Sequence, residues 1–162
     1  MDGVRFRPAR GEDARAVLAI KRAAIDGIDD STYTDQQLSA WQPDQSAVSE
    51  FRRAIESDTF DVLVAEIRGD PVGYGVLNTD DDRIDAVFVD PSYAGNGVAS
   101  SLVRQFESRA QMRAVPELTI VSSLNAKGLY ESLQYWDFGR KTRRIDGVDI
   151  EFAIMHKRFQ TD

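Results

Sequence analysis

A turn of small residues is the part of this 162-residue sequence best suited to bind a ligand. An apolar, strand-like run ends at Asp90-Pro91, and a helical pattern begins directly after Gly95-Asn96-Gly97. Glycine adopts backbone angles that other residues avoid, and its missing side chain lets a ligand approach the main chain. The first amides of the following helix lack intrahelical partners, and the helix dipole favours negative charge beside them. The turn therefore predicts a site for an anion such as a pyrophosphate.

Other strand-to-helix turns carry the same Gly-x-Gly pattern, so a tight turn that binds nothing stays open as an alternative. A dinucleotide-binding fold is disfavoured for two reasons. Ser100 occupies the third glycine position, and the strands before the turn form an antiparallel meander. A P-loop is excluded because no Gly-Lys-Ser/Thr follows the glycines.

The sequence contains no cysteine and one histidine, His156. The lack of cysteine excludes disulfides, thiolate nucleophiles, Cys-ligated zinc and iron–sulfur clusters. A single histidine excludes any site that needs two imidazoles. No Gly-x-Ser-x-Gly turn accompanies it, so a Ser-His-Asp triad is disfavoured and we expect a structural or exposed role for His156.

The charge composition of the chain also bears on which ligands it can bind. The formal net charge of -7 argues against general nucleic-acid binding. Aspartate outnumbers glutamate by 19 to 8, and arginine outnumbers lysine by 16 to 4. Such a bias is typical of a proteome adapted to high salt, and it would also attract a cationic substrate. Both hypotheses stay open.

The length predicts one domain, residues 1–162, with a core large enough to need no disulfide or metal. No apolar run approaches the roughly 20 residues of a membrane span. The first residues lack the basic-then-apolar pattern of a signal peptide. We therefore expect a cytoplasmic protein with no membrane partner.

Hydrophobic periodicity predicts the elements that position the glycine turn. A strand over 3–8 precedes a helix whose first turn is acidic, and Thr34 with Gln37 forms a capping-box pattern before a second helix. A third helix begins at Asp44 or Ser46. Three strand-like runs with short polar turns then indicate an antiparallel meander: 61–67, 71–77 and 84–89.

The second half of the chain predicts a βαβ unit and a closing hairpin about Asp146-Gly147. Its elements are, in order, a helix over 97–113, a strand over 117–123, a helix over 125–133 and strands over 137–145 and 148–157. A meander followed by a βαβ unit implies a mixed α+β fold with helices on both faces of the sheet.

The turn resembles the phosphate-binding motif of the GNAT superfamily of acetyl-CoA-dependent N-acyltransferases. The motif, Gln/Arg-x-x-Gly-x-Gly/Ala, aligns with Ala94-Gly95-Asn96-Gly97-Val98-Ala99, and Tyr93 before it also fits. Ala94 departs from the pattern, because Gln or Arg is expected there. Backbone amides can still hold a pyrophosphate, so the departure predicts weaker cofactor binding rather than none.

The resemblance covers essentially the whole chain. Residues 118–133 are similar to the family's next strand and helix, in which an Asn, here Asn125, begins a helix that bears a Tyr, here Tyr130. The usual Gly-Phe after that helix is Gln134-Tyr135, a second departure. Three further segments resemble one bacterial and archaeal branch of the superfamily: 33–41, Ile84-Asp85 and 146–155.

The resemblance implies a GNAT-like fold, a mixed, mostly antiparallel, twisted sheet of about seven strands that splays between the fourth and fifth strands. Acetyl-CoA, as co-substrate, would lie in that splay, and no metal is implied. Asn125 would bond the pantetheine arm or only cap its helix. The residues implied to bind acetyl-CoA are Val87, Phe88, Val89, Ala94, Gly95, Asn96, Gly97, Val98, Ala99, Ser100, Asn125 and Tyr130.

Attack of an amine on a thioester needs a neutral amine, a donor to the developing oxyanion and a proton for the departing thiolate. The resemblance implies that Tyr130 supplies this proton and that the amide of Val89 polarises the carbonyl. A phenol that only packs in the core is the alternative for Tyr130.

Asp85 is the candidate general base. Strand alternation predicts that it shares a face with Val87 and Val89, opposite Ile84, Ala86 and Phe88. It would abstract a proton through water or attract the ammonium group; an ordinary surface carboxylate is the alternative.

The acceptor wall is expected to include Tyr33 and Trp41, whose rings would stack on substrate. A core role is the alternative for Trp41. The function implied is acetyl transfer from acetyl-CoA to a primary amine of a small molecule or a protein, in a ternary complex. A non-catalytic acyl-CoA-binding or regulatory module stays open because of Ala94. Dimers are common in the family, so a homodimer is compatible with the sequence, which leaves the oligomeric state open.

Overall fold

Strands and helices follow one another in the order βαααβββαβαββ. The computed structural model describes residues 3–28 and 31–160. The strands are β1 (Arg5–Pro8), β2 (Phe60–Ile67), β3 (Asp70–Asn78), β4 (Arg83–Val89), β5 (Glu117–Ser123), β6 (Trp136–Ile145) and β7 (Val148–Arg158). The helices are α1 (Ala14–Asp26), α2 (Asp35–Trp41), α3 (Ser46–Glu56), α4 (Val98–Met112) and α5 (Lys127–Ser132).

Local sequence signals begin and end several of these elements as predicted. The Thr34 hydroxyl accepts a hydrogen bond from the Gln37 N–H (3.1 Å), and the Gln37 side chain accepts one from the Thr34 N–H (2.9 Å). The capping box that opens α2 is thus confirmed. Asp146 and Gly147 both have positive φ, 51° and 78°, the backbone geometry of a tight hairpin turn between β6 and β7.

The seven strands form one mixed sheet in the order β1-β2-β3-β4-β5-β7-β6. Every neighbouring pair is antiparallel except β4 and β5, which are parallel. Short turns join β2, β3 and β4 into the predicted meander, whereas the parallel pair needs the crossover through α4. The predicted mixed, mostly antiparallel sheet is therefore confirmed.

The parallel pair separates soon after it begins. Only Arg83 with Thr119 and Ile84 with Ile120 are in register between β4 and β5. Beyond Ile84, β4 continues for five residues, four of which pair with β3, while β5 continues paired with β7 alone. The predicted splay between the fourth and fifth strands is thus present, and it leaves one backbone edge of β4 open.

Helices cover both faces of the sheet. On β2, Leu63 and Ala65 pack in the cluster under α4 and α5, while Val62 and Val64 pack against α1 and α3. This alternation follows from the two-residue period of a strand. A third cluster joins α1 and α2 to β7 and contains Trp41. No helix in residues 3–28 or 31–160 is both long and apolar enough to cross a bilayer.

A glycine on β3 lets α4 approach the sheet closely. A Cβ added to Gly75 would lie 2.6 Å from the ring of Phe106, a fully buried residue of α4, and 3.3 Å from the Ala86 carbonyl oxygen. Contacts this short would move the ring or the helix. The missing side chain therefore sets how close α4 lies to the end of β4.

A bulge interrupts β4 at Asp85. Val76 of β3 pairs with Ala86, but the next residue, Leu77, pairs with Ile84. Asp85 is therefore an extra residue in β4, and such bulges bend a strand and redirect its side chains. The bulge lies directly after the last pair that β4 makes with β5.

The bulge overturns one prediction about side-chain faces. Ile84 packs in the same cluster as Val87 and Val89, under α4, whereas Ala86 and Phe88 pack on the opposite face. The prediction that Ile84 lies opposite Val87 and Val89 is therefore wrong. A count with period two fails here because the inserted residue shifts the alternation by one.

The helix predicted over 125–133 is divided into two segments. A 3₁₀ turn spans Leu124–Ala126, and α5 then has only six residues. The residues at the N-cap positions of the two segments are Ser123 and Ala126. The alternative that Asn125 only caps its helix is therefore wrong.

Candidate active site

The glycine turn lies at the carboxyl end of β4. Gly95 and Gly97 have φ of 83° and 76°, in the left-handed region that residues with a Cβ rarely adopt. The Asn96 side-chain amide donates to the Tyr93 carbonyl oxygen (3.1 Å), and the Asp90 carboxylate accepts from the Ser92 N–H (2.9 Å). These bonds brace the turn, and residues 94–97 are exposed at the surface.

The start of α4 is free to accept an anion. No side chain caps it, and its first turn contains no acidic residue. The N–H groups of the first helical turn therefore have no intrahelical partner, and the positive end of a 15-residue helix lies beside them. Ala94 before the loop is exposed and adds no charge. The anion-binding geometry predicted from the sequence is present and rests on the backbone.

The open edge of β4 presents main-chain groups to the splay. The Asp90 N–H donates to the Val72 carbonyl oxygen on β3 (2.8 Å). Because successive peptide groups in a strand point to opposite sides, the N–H and C=O groups of Val87 and Val89 point away from β3. They face the gap toward β5, where a ligand can pair with them as an additional strand would.

A cleft passes through this gap. Residues from four strands and three helices line it, including Trp41, Asp85, Val87, Phe88, Tyr130 and Phe152. Tyr130 comes from α5 on one face of the sheet, and Trp41 from α2 on the other face. The walls of the cleft beside the open edge of β4 therefore come from both faces of the sheet.

Tyr130 is held in this cleft with only 4% of its surface exposed. Burial raises the pKa of its phenol above the ordinary value, because the charged phenolate loses solvation. The phenol is thus neutral at physiological pH and carries a proton to donate. Its ring contacts that of Tyr135 edge to face, with centroids 6.4 Å apart.

Contacts outside α5 hold this short helix in place, since six residues make few internal hydrogen bonds. The Lys127 ammonium lies 2.8 Å from the Asp137 carboxylate on β6, and the Arg140 guanidinium binds the same carboxylate. The two cations lower the pKa of Asp137 to about 2. The Tyr135 N–H donates to the Tyr130 carbonyl oxygen (3.0 Å). The ion pair between Lys127 and Asp137 thus ties α5, which carries Tyr130, to β6.

Asp85 lines the cleft and forms an ion pair. The Arg83 guanidinium binds Oδ1 of Asp85 through Nε and lies 3.2 Å from the Asp81 carboxylate. The hydrogen bond to Asp85 is the main cause of the raised pKa of Arg83. Asp85 is therefore a part-buried carboxylate that is paired with Arg83.

The two aromatic residues expected on the acceptor wall occupy different positions. Trp41 lines the cleft and packs against Phe88 and Phe152, with ring centroids 5.9 and 5.4 Å apart. Tyr33 lies behind Trp41 and does not line the cleft. The Tyr33 hydroxyl donates to the Glu151 carbonyl oxygen (2.6 Å) and accepts from the Leu124 N–H (3.0 Å). Tyr33 thus connects β7 to the end of β5 and packs against Trp41 from behind.

Two cations in the cleft were not predicted from the sequence. Lys21 of α1 and Arg143 of β6 both line it. Lys21 is spaced four residues from Val17 and from Ile25, so its place on the apolar stripe of α1 was an available signal. Arg143 lies among exposed polar residues of β6, and no local pattern marks it.

The remaining candidates lie outside this cleft. Asn125 is exposed at the end of β5. His156 packs against Phe138, with ring centroids 4.4 Å apart, and its Nδ1 lies 3.0 Å from the Thr119 hydroxyl. Within the described ranges, no group of three or more His, Cys, Asp or Glu side chains is placed to hold a metal ion.

Comparisons with known proteins agree with this geometry. Residues 29–158 match the family described as acetyltransferase (GNAT) domain. The uncharacterized N-acetyltransferase YafP of Escherichia coli (strain K12) is 30% identical over 160 residues, which are 99% of this chain and 98% of YafP.

Solved structures share the fold. A GCN5-related N-acetyltransferase from Rhodopseudomonas palustris superposes with a TM-score of 0.87 at 30% identity, and 98% of each chain is covered. A PaiA N-acetyltransferase from Thermoplasma acidophilum, solved in complex with coenzyme A, superposes with a TM-score of 0.72 at 17% identity over 97% of this chain and 99% of that one. The resemblance first indicated by residues 94–99 is confirmed, and the chain belongs to the GNAT family of acetyltransferases.

Proposed function

We propose that this protein transfers an acetyl group from acetyl-CoA to a primary amine of a small molecule or a protein, by direct attack in a ternary complex. The splay between β4 and β5 carries the proposal. It leaves a strand edge open beside an uncapped helix N-terminus and brings Tyr130 and Asp85 to one cleft. The edge of β4 and the N-terminus of α4 would bind coenzyme A. Tyr130 and Asp85 would supply the acid and the base for acyl transfer.

The backbone offers complementary groups for each part of the coenzyme. The N–H groups of residues 95–100 and the positive end of α4 suit the diphosphate. The N–H and C=O groups of Val87 and Val89 suit the two amides of the pantetheine arm. Asn125 is exposed beyond β5 and is available to bond the same arm. Phe88 contributes its ring to the cleft wall.

Acetyl-CoA supplies an activated acetyl thioester. The Val89 N–H is the proposed donor to the oxyanion that develops as the amine nitrogen attacks the carbonyl carbon. As the C–N bond forms and the C–S bond breaks, Tyr130 gives its phenolic proton to the departing sulfur. The proton released by the amine passes through water to Asp85, the acidic side chain among the described residues that line the cleft.

Two substitutions test these roles in a free-thiol assay with an amine panel. Tyr130→Phe is expected to lower kcat about 10- to 100-fold and to leave CoA affinity unchanged, because only the donated proton is lost. Asp85→Asn is expected to lower kcat/KM about 10-fold or more, because the amide cannot accept the proton released by the amine.

The matched control is Tyr74→Phe, since Tyr74 is as buried as Tyr130 but does not line the cleft. The control should retain turnover. Equal activity of Tyr130→Phe and the control would remove Tyr130 from the mechanism. The absence of both turnover and CoA binding in the unsubstituted protein would reject the proposed function.

A non-catalytic acyl-CoA-binding or regulatory module is the second candidate. It is favoured by Ala94, which removes the side chain expected at the phosphate turn. CoA binding in calorimetry without thiol release from any amine would support this candidate over the enzyme. A homodimer, a cytoplasmic location and the lack of nucleic-acid and membrane partners stay predictions.

A further inference from the structure

Two cations flank the cleft on the side away from α4 and α5. The Lys21 ammonium nitrogen lies 5.6 Å from the ring centroid of Phe88, and the Arg143 guanidinium carbon lies 5.4 Å from that of Phe152. All four side chains line the cleft. The aromatic rings hold both cations beside the cleft, since cations are attracted to ring faces.

Neither cation forms an ion pair with an acid among the described residues. Within residues 3–28 and 31–160, no carboxylate oxygen lies within 4 Å of Lys21 or Arg143, and the Asp85 carboxylate is held by Arg83. Burial lowers the pKa of Lys21, and the charge of Arg143 lowers it further, while Glu50 partly opposes them. Two like charges in a part-buried cleft are unfavourable unless an anion joins them.

The coenzyme does not provide that anion in the geometry proposed above. Its phosphates belong at the turn 94–100, and no residue of that turn lines the cleft. The acetyl thioester end that enters the cleft carries no charge. The remaining ligand of a ternary complex is the acceptor amine, so the anionic group must belong to the acceptor.

We propose that the acceptor is a primary amine that also carries a carboxylate, a small molecule of the amino-acid class, and that Lys21 and Arg143 bind this carboxylate. The inference rests on the proposed acetyl transfer and specifies its substrate class. A guanidinium and an ammonium on two sides suit a carboxylate, which accepts charge-assisted hydrogen bonds at both oxygens. The hypothesis that the acidic composition attracts a purely cationic substrate is thereby disfavoured for this cleft.

Matched acceptors test the proposal in the unsubstituted protein. An amino acid, its primary amide and its decarboxylated amine are compared at one pH, with tyrosine, tyrosinamide and tyramine as one set and lysine, lysinamide and cadaverine as another. We expect the carboxylate member to have the highest kcat/KM of its set, by about 10-fold or more. The α-amine of the amide is more readily deprotonated, so a preference for the carboxylate does not arise from amine basicity.

Substitutions test the two residues. Lys21→Met and Arg143→Gln are each expected to lower kcat/KM for the carboxylate acceptor about 10- to 100-fold and that for the decarboxylated amine by less than about 3-fold. CoA affinity in calorimetry should not change. The control is Arg144→Gln, the next residue on β6, whose side chain is 69% exposed and pairs with Asp149 at the surface.

The failures are distinguishable. If thiol is released but the amide or the decarboxylated amine is the better acceptor, the carboxylate subsite is overturned and acetyl transfer stands. The subsite is also overturned if Lys21→Met and Arg143→Gln each lower kcat/KM equally for the amino acid, its amide and its decarboxylated amine. If CoA binds but no acceptor in either set releases thiol, acetyl transfer to these amines is overturned together with the subsite.

Discussion

Ala94 is the residue at which the glycine turn departs from the phosphate-binding motif of the family. GNAT proteins carry Gln or Arg at the aligned position, and here an exposed alanine in extended conformation precedes the glycines. The glycine backbone angles and the uncapped start of α4 remain. The proposed diphosphate site would therefore be built from main-chain groups, and a side chain at position 94 would add to it.

We predict that Ala94→Arg increases CoA affinity. A guanidinium beside the diphosphate adds a charge-assisted contact, so Kd should fall about 3- to 10-fold, with a larger effect at low salt. Calorimetry with CoA at two salt concentrations measures this. Gln111→Arg adds the same charge at the exposed far end of α4 and should leave Kd unchanged. An unchanged or higher Kd for Ala94→Arg would contradict a phosphate site at this turn.

At the level of elements, α4 connects the proposed coenzyme site to the core of the sheet. Its N-terminus is the proposed anion site, and its body packs on β3 through Phe106 against Gly75. A displaced α4 would move the turn 94–100 away from the open edge of β4. Stability and coenzyme affinity should therefore change together when this contact is altered.

Gly75→Ala tests that coupling. The added Cβ would meet the Phe106 ring at 2.6 Å, so we expect a loss of about 1 to 3 kcal/mol in the free energy of unfolding and a weaker affinity for CoA. Urea denaturation and calorimetry provide the two measurements. Gly128→Ala is the control, because a Cβ there contacts nothing within 4 Å and favours the helix α5. Full stability of Gly75→Ala would show that α4 does not depend on this contact.

At the scale of the whole molecule, an ion-pair network joins the first strand to its neighbours. Arg7 of β1 binds both carboxylate oxygens of Asp13 (2.8 and 2.9 Å) and one oxygen of Glu66 on β2 (2.9 Å). Asp13 also accepts from the Arg10 N–H (2.7 Å), and its side chain is only 7% exposed. The network connects the start of α1 to the edge of the sheet.

This network predicts a stability that falls in acid. The hydrogen bond from Arg7 is the main cause that lowers the pKa of Asp13 in the folded protein. The stabilisation is therefore complete above the unfolded pKa, near 4, and is lost as pH falls through the lower folded pKa. Asp13→Asn should cost about 2 kcal/mol at pH 7, because it leaves Arg7 part-buried with one acid fewer.

Urea denaturation at pH 7 and near pH 3 checks this prediction. The difference between Asp13→Asn and the unsubstituted protein should be smaller at the lower pH. Glu12→Gln is the control, since Glu12 and its partner Arg10 are largely exposed and such pairs contribute little. A difference that grows in acid would contradict the assigned direction of the pKa change.

Much of this protein is determined by short-range sequence patterns. The capping box of Thr34 and Gln37, the hairpin turn at Asp146-Gly147 and the glycine turn before α4 depend on a few neighbouring residues, and each is found where it was predicted. The order of the motifs also indicated the family. These features follow from the sequence because backbone angles and caps respond to residues within one or two turns.

Tertiary structure alone decided the surroundings of the side chains proposed to react. The bulge at Asp85, its ion pair with Arg83 and the supporting role of Tyr33 depend on pairing between strands distant in the sequence. Lys21 and Arg143 meet in one cleft only because α1 and β6 are brought to it by the folded sheet. The physical reason is that burial, charge and register at a residue are set by its neighbours in space, and the local sequence does not name them.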